Sequence, residues 1–531
     1  MTFISDTKPK ILVSTRHKQL VVPRVPEIDS LLAHRPTIEV HGESFRVAPH
    51  DLSTTRLLRR LGFSVASPML TYYLWGGATP FESQRVTCDL LSTNYRFYVL
   101  NGMGTGKTKA ALWAWDYLRS NGLAHKALIC APLSTLEFTW MSECFGTIPH
   151  MMSKGRVLHG TKAQRLKRLA DPDAEFFVIN HDGVGVIFDE LQKRPDIDTF
   201  IIDELASFRN VGPRQKVIRE VAKNRTWVWG LTGSPMPRAP TDVYGQAKIV
   251  TPERVELRWT HFRDELMTRE AEHIYVPKPD AIEKAYRVMQ PAVRYRLADV
   301  AELPPVVYRT GFIDDLPAVE VAMSAEQTSV YNQMKNQLYA QWKNNEVTAA
   351  NAGVKLMKLV QIAAGWVYDD DGNTQALDAT DRLQALVDLV EANERKVMVL
   401  VPFRHALLGV SRVLDKAGVG HAVVHGDVTG KERANIFTLF QQTDKYHVLL
   451  ADPGTLSHGL TLTAADTALW YAPITRFETY EQTNHRIIRI GQKYKQQIVH
   501  MQASQADKYA YGILRRRDNV QKAFLALFEG G

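Results

Sequence analysis

The sequence predicts an α/β protein with two lobes, each built on a parallel β-sheet that helices cover. The chain has 531 residues, which is more than a single hydrophobic core usually supports, so at least two domains are expected. Apolar, strand-like runs alternate with helical stretches from about residue 79 to residue 250, and the same alternation returns from about residue 395. Such alternation is typical of parallel sheets whose strands are connected by helices.

The two predicted lobes occupy residues 79–250 and 395–531, and the second is expected to end in a helix. The first lobe has five predicted strands: RFYVL, KALICAP, FFVIN, TFIID and WVWGLTG. The second lobe has five more: KVMVLVP, HAVVHG, YHVLLAD, TALWYAP and QQIVHM. Residues 251–394 are mainly helical in pattern and are predicted to form an insertion and linker, with a loop at LPPVVY and a turn at DDDG, residues 369–372.

Residues 1–78 are predicted to form a small accessory module. The runs KILVSTRHKQLVV and TIEVHGESFRV are strand-like, with a turn at His41 and Gly42, and a short helix is expected around Arg56 to Leu61. A structural cap is the simplest role for this module. Binding of a protein partner, or a wedge that splits a duplex, are the alternatives.

Composition restricts the class of protein. Hydrophobic residues make up 45% and charged residues 23% of the chain, ordinary values that exclude wholesale disorder. No apolar run approaches the ~20 residues that cross a bilayer, and the amino terminus lacks a signal-peptide layout, so we expect a cytoplasmic protein with no membrane partner. The three cysteines form no CxxC pair and are expected to be buried thiols. The net charge of +8 suits a polyanion, but it does not identify one.

A glycine-rich turn, NGMGTGKT, joins the strand-like RFYVL to a helical stretch. The N–H groups of such a turn and of the following helix start cradle phosphates, and glycines allow close approach. Lys107 would reach the β and γ phosphates of ATP, and the Thr108 hydroxyl would hold Mg²⁺. Asn101 stands where the GxxxxGK[ST] pattern has its first glycine. The expected nucleotide-binding residues of the loop also include Gly102, Gly104, Thr105 and Gly106.

Two further motifs complete a hydrolytic site. TFIID ends in Asp203, which would coordinate the metal, and is followed by Glu204, which would act as general base toward the attacking water. Much later, Arg486 and Arg489 stand three residues apart, on one face if the segment is helical. An arginine aimed at the γ phosphate stabilises the charge that develops during phosphoryl transfer.

Together, these motifs resemble those of superfamily two helicases, and finer features resemble the Swi/Snf-like branch of duplex DNA translocases. The resemblance covers roughly residues 79–505. It rests on APLSTLEFTW, LTGSP, HGDVTGKERANIFTLFQ, SHGLTLTAADTALWYAP and above all QTNHRIIRIGQ, with LPP, MSAEQTSVYNQM and LMKLVQIAAG in the insertion. It implies two RecA-like lobes that clamp ATP between them and step along DNA. The short lobes look more like bacterial or phage-encoded members of the branch, and hence a bacterial cell or a phage-infected host.

The resemblance implies roles for further residues. Phe81 and Gln84 would read the adenine, while Gly459 and Gln482 would line the ATP cleft from the second lobe. The expected contacts with the DNA backbone are Ser134, Thr135 and Thr463, with His181 as a further candidate that could equally be a surface-loop histidine.

The sequence departs from the family pattern in two places. After Asp203 and Glu204 it has Leu205 and Ala206, so the histidine that couples hydrolysis to the LTGSP region in relatives is missing. In addition, His485 stands where many relatives carry Asp or Gly.

The leading hypothesis is an ATP-dependent DNA helicase or duplex DNA translocase that acts in replication, recombination or repair. A second hypothesis is an ATP-switched loader or adaptor that recruits a replication or repair protein through residues 1–78 or the insertion. A third is an RNA helicase, against which the QTNHRIIRIGQ segment argues. The sequence does not distinguish unwinding from translocation, because no wedge is identifiable.

Overall fold

The computed structural model describes residues 10–255, 258–271, 274–312, 314–343, 349–368, 374–456 and 460–528. Gly459 and the turn predicted at residues 369–372 lie outside the described residues. The α/β architecture with two parallel sheets is confirmed. The ten strands predicted from the apolar runs are all present.

The first described segment is a four-stranded antiparallel sheet in the order β1-β2-β4-β3, with three short helices. The predicted turn between β3 and β4 forms because His41 (φ 51°) and Gly42 (φ 81°) adopt left-handed conformations. Arg59 joins this segment to the following helix by an ion pair with Asp89 at 2.8 Å. The elements are β1 Leu12–Ser14, β2 Gln19–Pro23, α1 Pro26–Asp29, β3 Thr37–Val40, β4 Glu43–Pro49, α2 Leu52–Arg60 and α3 Pro68–Tyr72.

Lobe 1 contains a seven-stranded, all-parallel sheet in the order β13-β5-β10-β9-β6-β8-β7. Successive side chains of a strand point to opposite faces. Phe200 and Ile202 therefore enter the core on one face, and Ile201 enters the core on the other. The elements up to residue 250 are α4 Glu82–Thr93, β5 Arg96–Val99, α5 Lys107–Ser120, β6 Lys126–Ala131, α6 Ser142–Thr147, β7 Gly155–Leu158, α7 Lys162–Leu169, β8 Phe176–Asn180, α8 Gly183–Val186, α9 Phe188–Gln192, β9 Ile197–Asp203, α10 Pro213–Lys223, β10 Trp227–Leu231 and α11 Val243–Val250.

The segment between the predicted lobes contributes strands to both large sheets. β13 pairs with β5 in lobe 1, whereas β14 and β15 pair with β22 in lobe 2. The predicted loop at LPPVVY thus contains a strand. The elements are α12 Trp259–Leu266, β11 Met267–Ala271, β12 Ile274–Pro277, α13 Ala281–Val288, β13 Ala292–Val293, β14 Val306–Arg309, β15 Val319–Glu320, α14 Ala325–Lys343, α15 Ala349–Ala363, β16 Trp366–Tyr368, β17 Thr374–Ala376 and α16 Thr380–Glu391.

Lobe 2 contains the second parallel sheet, in the order β14-β22-β21-β18-β20-β19, with β15 also on β22. Its last helix links the two lobes. Tyr511 and Leu514 of that helix lie in a lobe 2 core, whereas Phe524 and Leu525 lie in a lobe 1 core. The elements are β18 Lys396–Leu400, α17 Arg404–Lys416, β19 His421–Val424, α18 Gly430–Gln442, β20 Val448–Ala451, β21 Ala465–Trp470, α19 Phe477–Asn484, β22 Gln496–Gln502 and α20 Gln505–Ala526.

Two predictions from composition can be compared with this fold. The free thiols of Cys88, Cys130 and Cys144 are buried, as expected. Among the helices of the described ranges, none combines the length and apolar character needed to cross a membrane.

A buried ion pair holds lobe 2 together. Arg382, 1% exposed, pairs with Asp507, 0% exposed, at 3.3 Å between Nη1 and Oδ2. The same guanidinium donates to the carbonyl oxygens of Ala363, Tyr471 and Met501. One side chain therefore connects α15, α16, β22, α20 and the residue that follows β21.

We expect Arg382→Met to lower the free energy of unfolding of lobe 2 by about 3–5 kcal/mol, because it leaves the Asp507 carboxylate buried without its cation. Urea denaturation followed by tryptophan fluorescence measures this change. Arg395→Met is the matched control, since Arg395 is 44% exposed and lies 3.9 Å from Asp466. The control should cost less than about 1 kcal/mol, and equal costs for the two variants would contradict the prediction.

Candidate active site

The glycine-rich loop follows β5 at the carboxyl edge of the lobe 1 sheet and leads into α5. Gly104 (φ 79°) and Gly106 (φ 82°) adopt left-handed conformations that favour glycine. At Gly106 a Cβ would lie 2.0 Å from the Gln84 side-chain nitrogen. Thr105 closes the turn by donating from Oγ1 to the Gly102 carbonyl at 2.8 Å. The loop thus joins a strand to a helix, as its sequence predicted.

The Lys107 side chain is half-buried against the loop itself. Its Nζ donates to the carbonyl oxygens of Asn101 (2.9 Å) and Gly102 (3.0 Å). Burial lowers the pKa of the Lys107 ammonium, and the nearby carboxylates of Glu204 and Asp203 oppose that change. The ammonium therefore lies within the phosphate loop. A phosphate bound by the loop could replace the two carbonyl oxygens as its hydrogen-bond acceptor.

Asn101, the departure from the usual phosphate-loop pattern, ties the loop to two other parts of lobe 1. Its Oδ1 accepts from the Tyr295 backbone N–H at 2.9 Å, and its Nδ2 donates to Thr87 Oγ1 at 3.1 Å. The Gly102 N–H also donates to the Tyr295 carbonyl at 2.8 Å. A glycine at position 101 could make neither side-chain bond, so the asparagine has a structural explanation.

Gln84, predicted to read the adenine, lies beside the phosphate loop. Its Nε2 donates to the Thr105 carbonyl at 3.1 Å, and its Oε1 accepts from the Phe81 N–H at 2.9 Å. Phe81 is 42% exposed and lines the same cleft as Gln84. Both residues are thus adjacent to the loop, and the role in adenine recognition remains a prediction.

Asp203 is the last residue of β9, and Glu204 follows it beside the glycine-rich loop. Asp203 Oδ2 accepts from Trp140 Nε1 at 2.9 Å, and Asp203 Oδ1 accepts from the Glu204 N–H at 3.1 Å. Burial raises the pKa of Asp203, and the hydrogen bond from Trp140 opposes that rise. Burial and the adjacent Asp203 carboxylate raise the pKa of Glu204 to about 8. A raised carboxyl pKa in a cleft is typical of a group that takes up protons during catalysis.

The second wall of the cleft comes from the segment after α19. Arg486 and Arg489 each donate from Nη1 to the Leu460 carbonyl, at 2.9 and 2.6 Å. Burial and the neighbouring Arg489 lower the pKa of Arg486 to about 9. The pair would share a helix face only if the segment were helical, and it is not, because α19 ends at Asn484 and the arginines lie in the turn and bend that follow. Their common carbonyl partner, rather than helical spacing, brings them together.

One cleft of about 420 Å³ is lined from both lobes. An ideal Cβ at Gly104 would lie 3.6 Å from Arg489 Cγ, so the second wall closely approaches the phosphate loop. Three cationic side chains that the sequence analysis identified, with the two carboxylates, give the polar surface that a triphosphate and a cation require. The lining residues predicted from the sequence are Phe81, Gln84, Gly104, Gly106, Lys107, Thr108, Asp203, Glu204, Gln482, Arg486 and Arg489.

The cleft also fits a magnesium ion that arrives with a nucleotide. Thr108 and Asp203 both line it, and the described residues include no group of three or more His, Cys, Asp or Glu side chains that could hold a metal ion. Mg²⁺ commonly takes one or two protein ligands and completes its shell with water and substrate phosphates. The available donors match that pattern.

Sequence reasoning missed several residues of this cleft. Thr139, Glu143, Thr461 and Ile490 line it, and Trp140 holds the Asp203 carboxylate. Trp140 is the last residue of APLSTLEFTW, a segment that the resemblance had already identified. Its indole nitrogen offered a signal, because a buried tryptophan needs a hydrogen-bond acceptor.

The four predicted DNA contacts lie in different settings. Ser134 is exposed just after β6, whereas Thr135 is buried, lines the cleft and donates from Oγ1 to the Pro132 carbonyl at 2.8 Å. Thr463 precedes β21 and accepts from Gln441 Nε2 at 3.0 Å. The structure contradicts a DNA-facing His181, because that side chain is only 6% exposed and both ring nitrogens are hydrogen-bonded within lobe 1.

Glu481 connects the two lobes next to the cleft. Its carboxylate accepts from the Ser234 hydroxyl of the LTGSP segment in lobe 1, and Gln521 of α20 donates to it at 3.3 Å. Burial raises the pKa of Glu481 to about 7, and the bonds from Ser234 and Gln521 oppose that rise. The folded protein therefore favours the protonated carboxyl.

A folded-state pKa above the unfolded one means that Glu481 stabilises the fold at acidic pH, and that this contribution is lost as pH rises from about 4.5 to about 7. A glutamine side chain at this position would mimic the protonated carboxyl at every pH. We expect Glu481→Gln to raise the Tm relative to the unmodified chain at pH 8, by a margin that shrinks toward pH 5. Thermal unfolding across this range measures the margin, and a margin that grows toward acid would contradict the prediction.

Comparison with known proteins identifies the family. Residues 98–364 match the SNF2-related domain, and residues 381–491 match the helicase conserved C-terminal domain. With the two-lobed cleft, these matches define the class as an ATP-hydrolysing enzyme with helicase-type lobes. The first match covers half of the chain, and the chain belongs to the SNF2-related family, within the Swi/Snf-like branch that its motifs resembled.

Individual relatives are distant. The chain is 28% identical to putative protein p41 of Acyrthosiphon pisum secondary endosymbiont phage 1, over 77% of this chain and 88% of that protein. It is 21% identical, over 98% of its length, to the SWI/SNF-related matrix-associated actin-dependent regulator of chromatin subfamily A-like protein 1 of Xenopus laevis, of which it spans 50%. The SWI2/SNF2 ATPase core of Sulfolobus solfataricus in complex with dsDNA is 16% identical, with a TM-score of 0.39, over 86% of this chain and 95% of that one.

Proposed function

We propose that this chain is an ATP-dependent translocase that moves along duplex DNA, in replication, recombination or repair. The observation that carries the proposal is the composition of the cleft. Lys107, Asp203 and Glu204 line it from lobe 1, and Arg486 and Arg489 line it from lobe 2. ATP hydrolysis needs residues from both lobes. A change in the bound nucleotide is therefore coupled to a change in the distance between the lobes.

Each residue has a distinct task in this proposal. Loop N–H groups and Lys107 bind the phosphates, and Thr108 with Asp203 would hold Mg²⁺, which neutralises phosphate charge when bound. Glu204 orients the attacking water and accepts its proton. Arg486 and Arg489 stabilise the charge that develops on the transferred phosphoryl group.

Contacts with DNA at the lobe 1 surface would convert hydrolysis into movement along the duplex. Ser134 is exposed after β6 and suits a phosphate contact, whereas Thr135 faces the cleft. We therefore keep Ser134 as the proposed DNA contact of this segment. Residues 1–78 are proposed as a cap on lobe 1, which the Arg59–Asp89 ion pair supports.

The test is ATP turnover with duplex DNA, single-stranded DNA and RNA as separate cofactors. The proposal predicts the largest stimulation with duplex DNA. Preferential stimulation by RNA would favour an RNA helicase, and turnover that no nucleic acid changes would favour a loader or adaptor. Either result would overturn the proposal.

A further inference from the structure

His181 lies directly behind the hydrolytic carboxylates. It follows β8, which pairs with β6, and β6 pairs with β9, the strand that ends in Asp203. His181 Nε2 lies 2.9 Å from the Asp203 carbonyl oxygen, and His181 Nδ1 lies 2.9 Å from Arg214 Nη2. The imidazole also packs edge-on against Phe208, with ring centroids 4.9 Å apart.

These contacts determine which nitrogen carries the proton. A guanidinium has only donors, so Arg214 donates and His181 Nδ1 accepts. In a neutral imidazole the proton is then on Nε2, which donates to the Asp203 carbonyl oxygen. Arg214 therefore selects the tautomer that can bond to the end of β9.

The bond from His181 fixes the peptide that joins Asp203 to Glu204. The carbonyl oxygen of this peptide accepts from His181, and its N–H donates to Asp203 Oδ1 at 3.1 Å. Glu204 has φ 50° and ψ 52°, a left-handed conformation that is unfavourable for residues other than glycine. A peptide held at both polar ends keeps Glu204 in that conformation, and Glu204 lines the ATP cleft.

The outer end of this chain of contacts is accessible. The Arg214 side chain is 44% exposed on the first turn of α10, and its Nε lies 3.4 Å from the Asp182 carboxylate, which is 78% exposed. Leu205 and Ala206, which follow Glu204, are buried and apolar, so they offer no polar side chain for such a link. A phosphate that binds Arg214 at the surface would compete with Asp182 and change the hydrogen bond between the guanidinium and His181.

We propose that His181 is a positioning residue for Glu204 and that, with Arg214, it links the surface of lobe 1 to the hydrolytic carboxylate. The inference rests on the proposed role of Glu204 in ATP hydrolysis. A merely structural histidine would fill space beside Phe208, and any side chain of similar size would replace it. A positioning histidine requires the hydrogen bond to Asp203.

The first experiment compares His181→Phe, which keeps the ring and loses both bonds, with His181→Gln, whose amide can still donate. We expect His181→Phe to lower basal kcat by about 10–100-fold, as removal of an orienting group commonly does, with little change in KM for ATP. His181→Gln should recover most of this loss. An unaffected kcat in His181→Phe, or equal losses in both variants, would overturn the positioning role.

The second experiment tests the surface link with an exposed residue whose replacement leaves the core intact. Arg214→Gln should reduce the stimulation of kcat by duplex DNA more than it reduces basal kcat. Arg219→Gln, on the same helix and paired with Glu220 at 2.9 Å, is the control and should behave like the unmodified chain. Equal stimulation in Arg214→Gln and Arg219→Gln would overturn the link.

These readouts separate the inference from the proposed function. If duplex DNA does not stimulate the unmodified chain, the translocase proposal fails, and basal kcat of the His181 variants still decides the positioning role. His181→Phe could also lower the Tm more than His181→Gln does. In that case kcat is calculated for the folded fraction, and a lower kcat with an unchanged KM still supports positioning. A loss explained by the unfolded fraction alone would overturn it.

Discussion

Arg486→Ala is expected to lower kcat for ATP hydrolysis by about 10³-fold or more, the range that arginine fingers supply in phosphoryl transfer. Arg486 is 6% exposed, and burial with its neighbour Arg489 lowers its pKa to about 9, so an anion that enters the cleft would stabilise its charged form. A triphosphate would do so most when negative charge develops in the transition state. Steady-state turnover at saturating ATP measures the effect.

Arg476→Ala is the matched control for this prediction, because Arg476 is an exposed arginine just before α19, the helix that ends two residues before Arg486. It should leave kcat within about threefold of the unmodified chain, as surface substitutions usually have small effects. Arg489→Ala should resemble Arg486→Ala, since both donate to the Leu460 carbonyl. Normal turnover in both Arg486→Ala and Arg489→Ala would contradict a role for lobe 2 in catalysis.

Lys107→Ala is expected to lower kcat by about 10²–10³-fold, the loss found when one charge-stabilising donor is removed. The protein should remain folded, because the hydrogen bonds of Lys107 among the described residues go to carbonyl oxygens of its own loop, Asn101 and Gly102. A fluorescent ATP analogue should also bind more weakly, since the ammonium would contact the phosphates in the ground state as well.

Lys126→Ala provides the comparison for Lys107→Ala. Lys126 is the first residue of β6, so it lies at the amino end of the strands, whereas the phosphate loop lies at their carboxyl end. It is 3.8 Å from Asp196 and does not line the cleft. Turnover and nucleotide affinity should both stay near normal in this control. Equal turnover in Lys107→Ala and Lys126→Ala would contradict the assignment of the phosphate loop.

The sequence predicted the strands well where they were long and apolar. The five runs of each lobe became strands because buried parallel strands need continuous apolar residues on both faces. β13 could not be found in this way, since it is only Ala292 and Val293, and its pairing with β5 depends on a contact between residues almost two hundred positions apart. β14 differs from the predicted loop because the two prolines that indicate a loop end just before the strand begins.

The functional site likewise combines features encoded by short sequence motifs with contacts between residues that are distant in the sequence. The loop around Lys107 and the carboxylates at the end of β9 are encoded by short motifs, and the cleft contains them as expected. The contact between Asn101 and Tyr295 depends on the fold, as does the shared carbonyl of Leu460. The buried position of His181 could not be predicted, because its hydrogen bonds to Asp203 and Arg214 join residues that are distant in the sequence.

We propose that ATP hydrolysis in this cleft moves the chain along duplex DNA. Displacement of the third strand from a DNA triplex is the sharpest test, because it reports movement on a duplex without requiring strand separation. We expect ATP-dependent displacement by the unmodified chain and none by Lys107→Ala. Duplex-stimulated hydrolysis without any displacement, or equal displacement by Lys107→Ala, would contradict it.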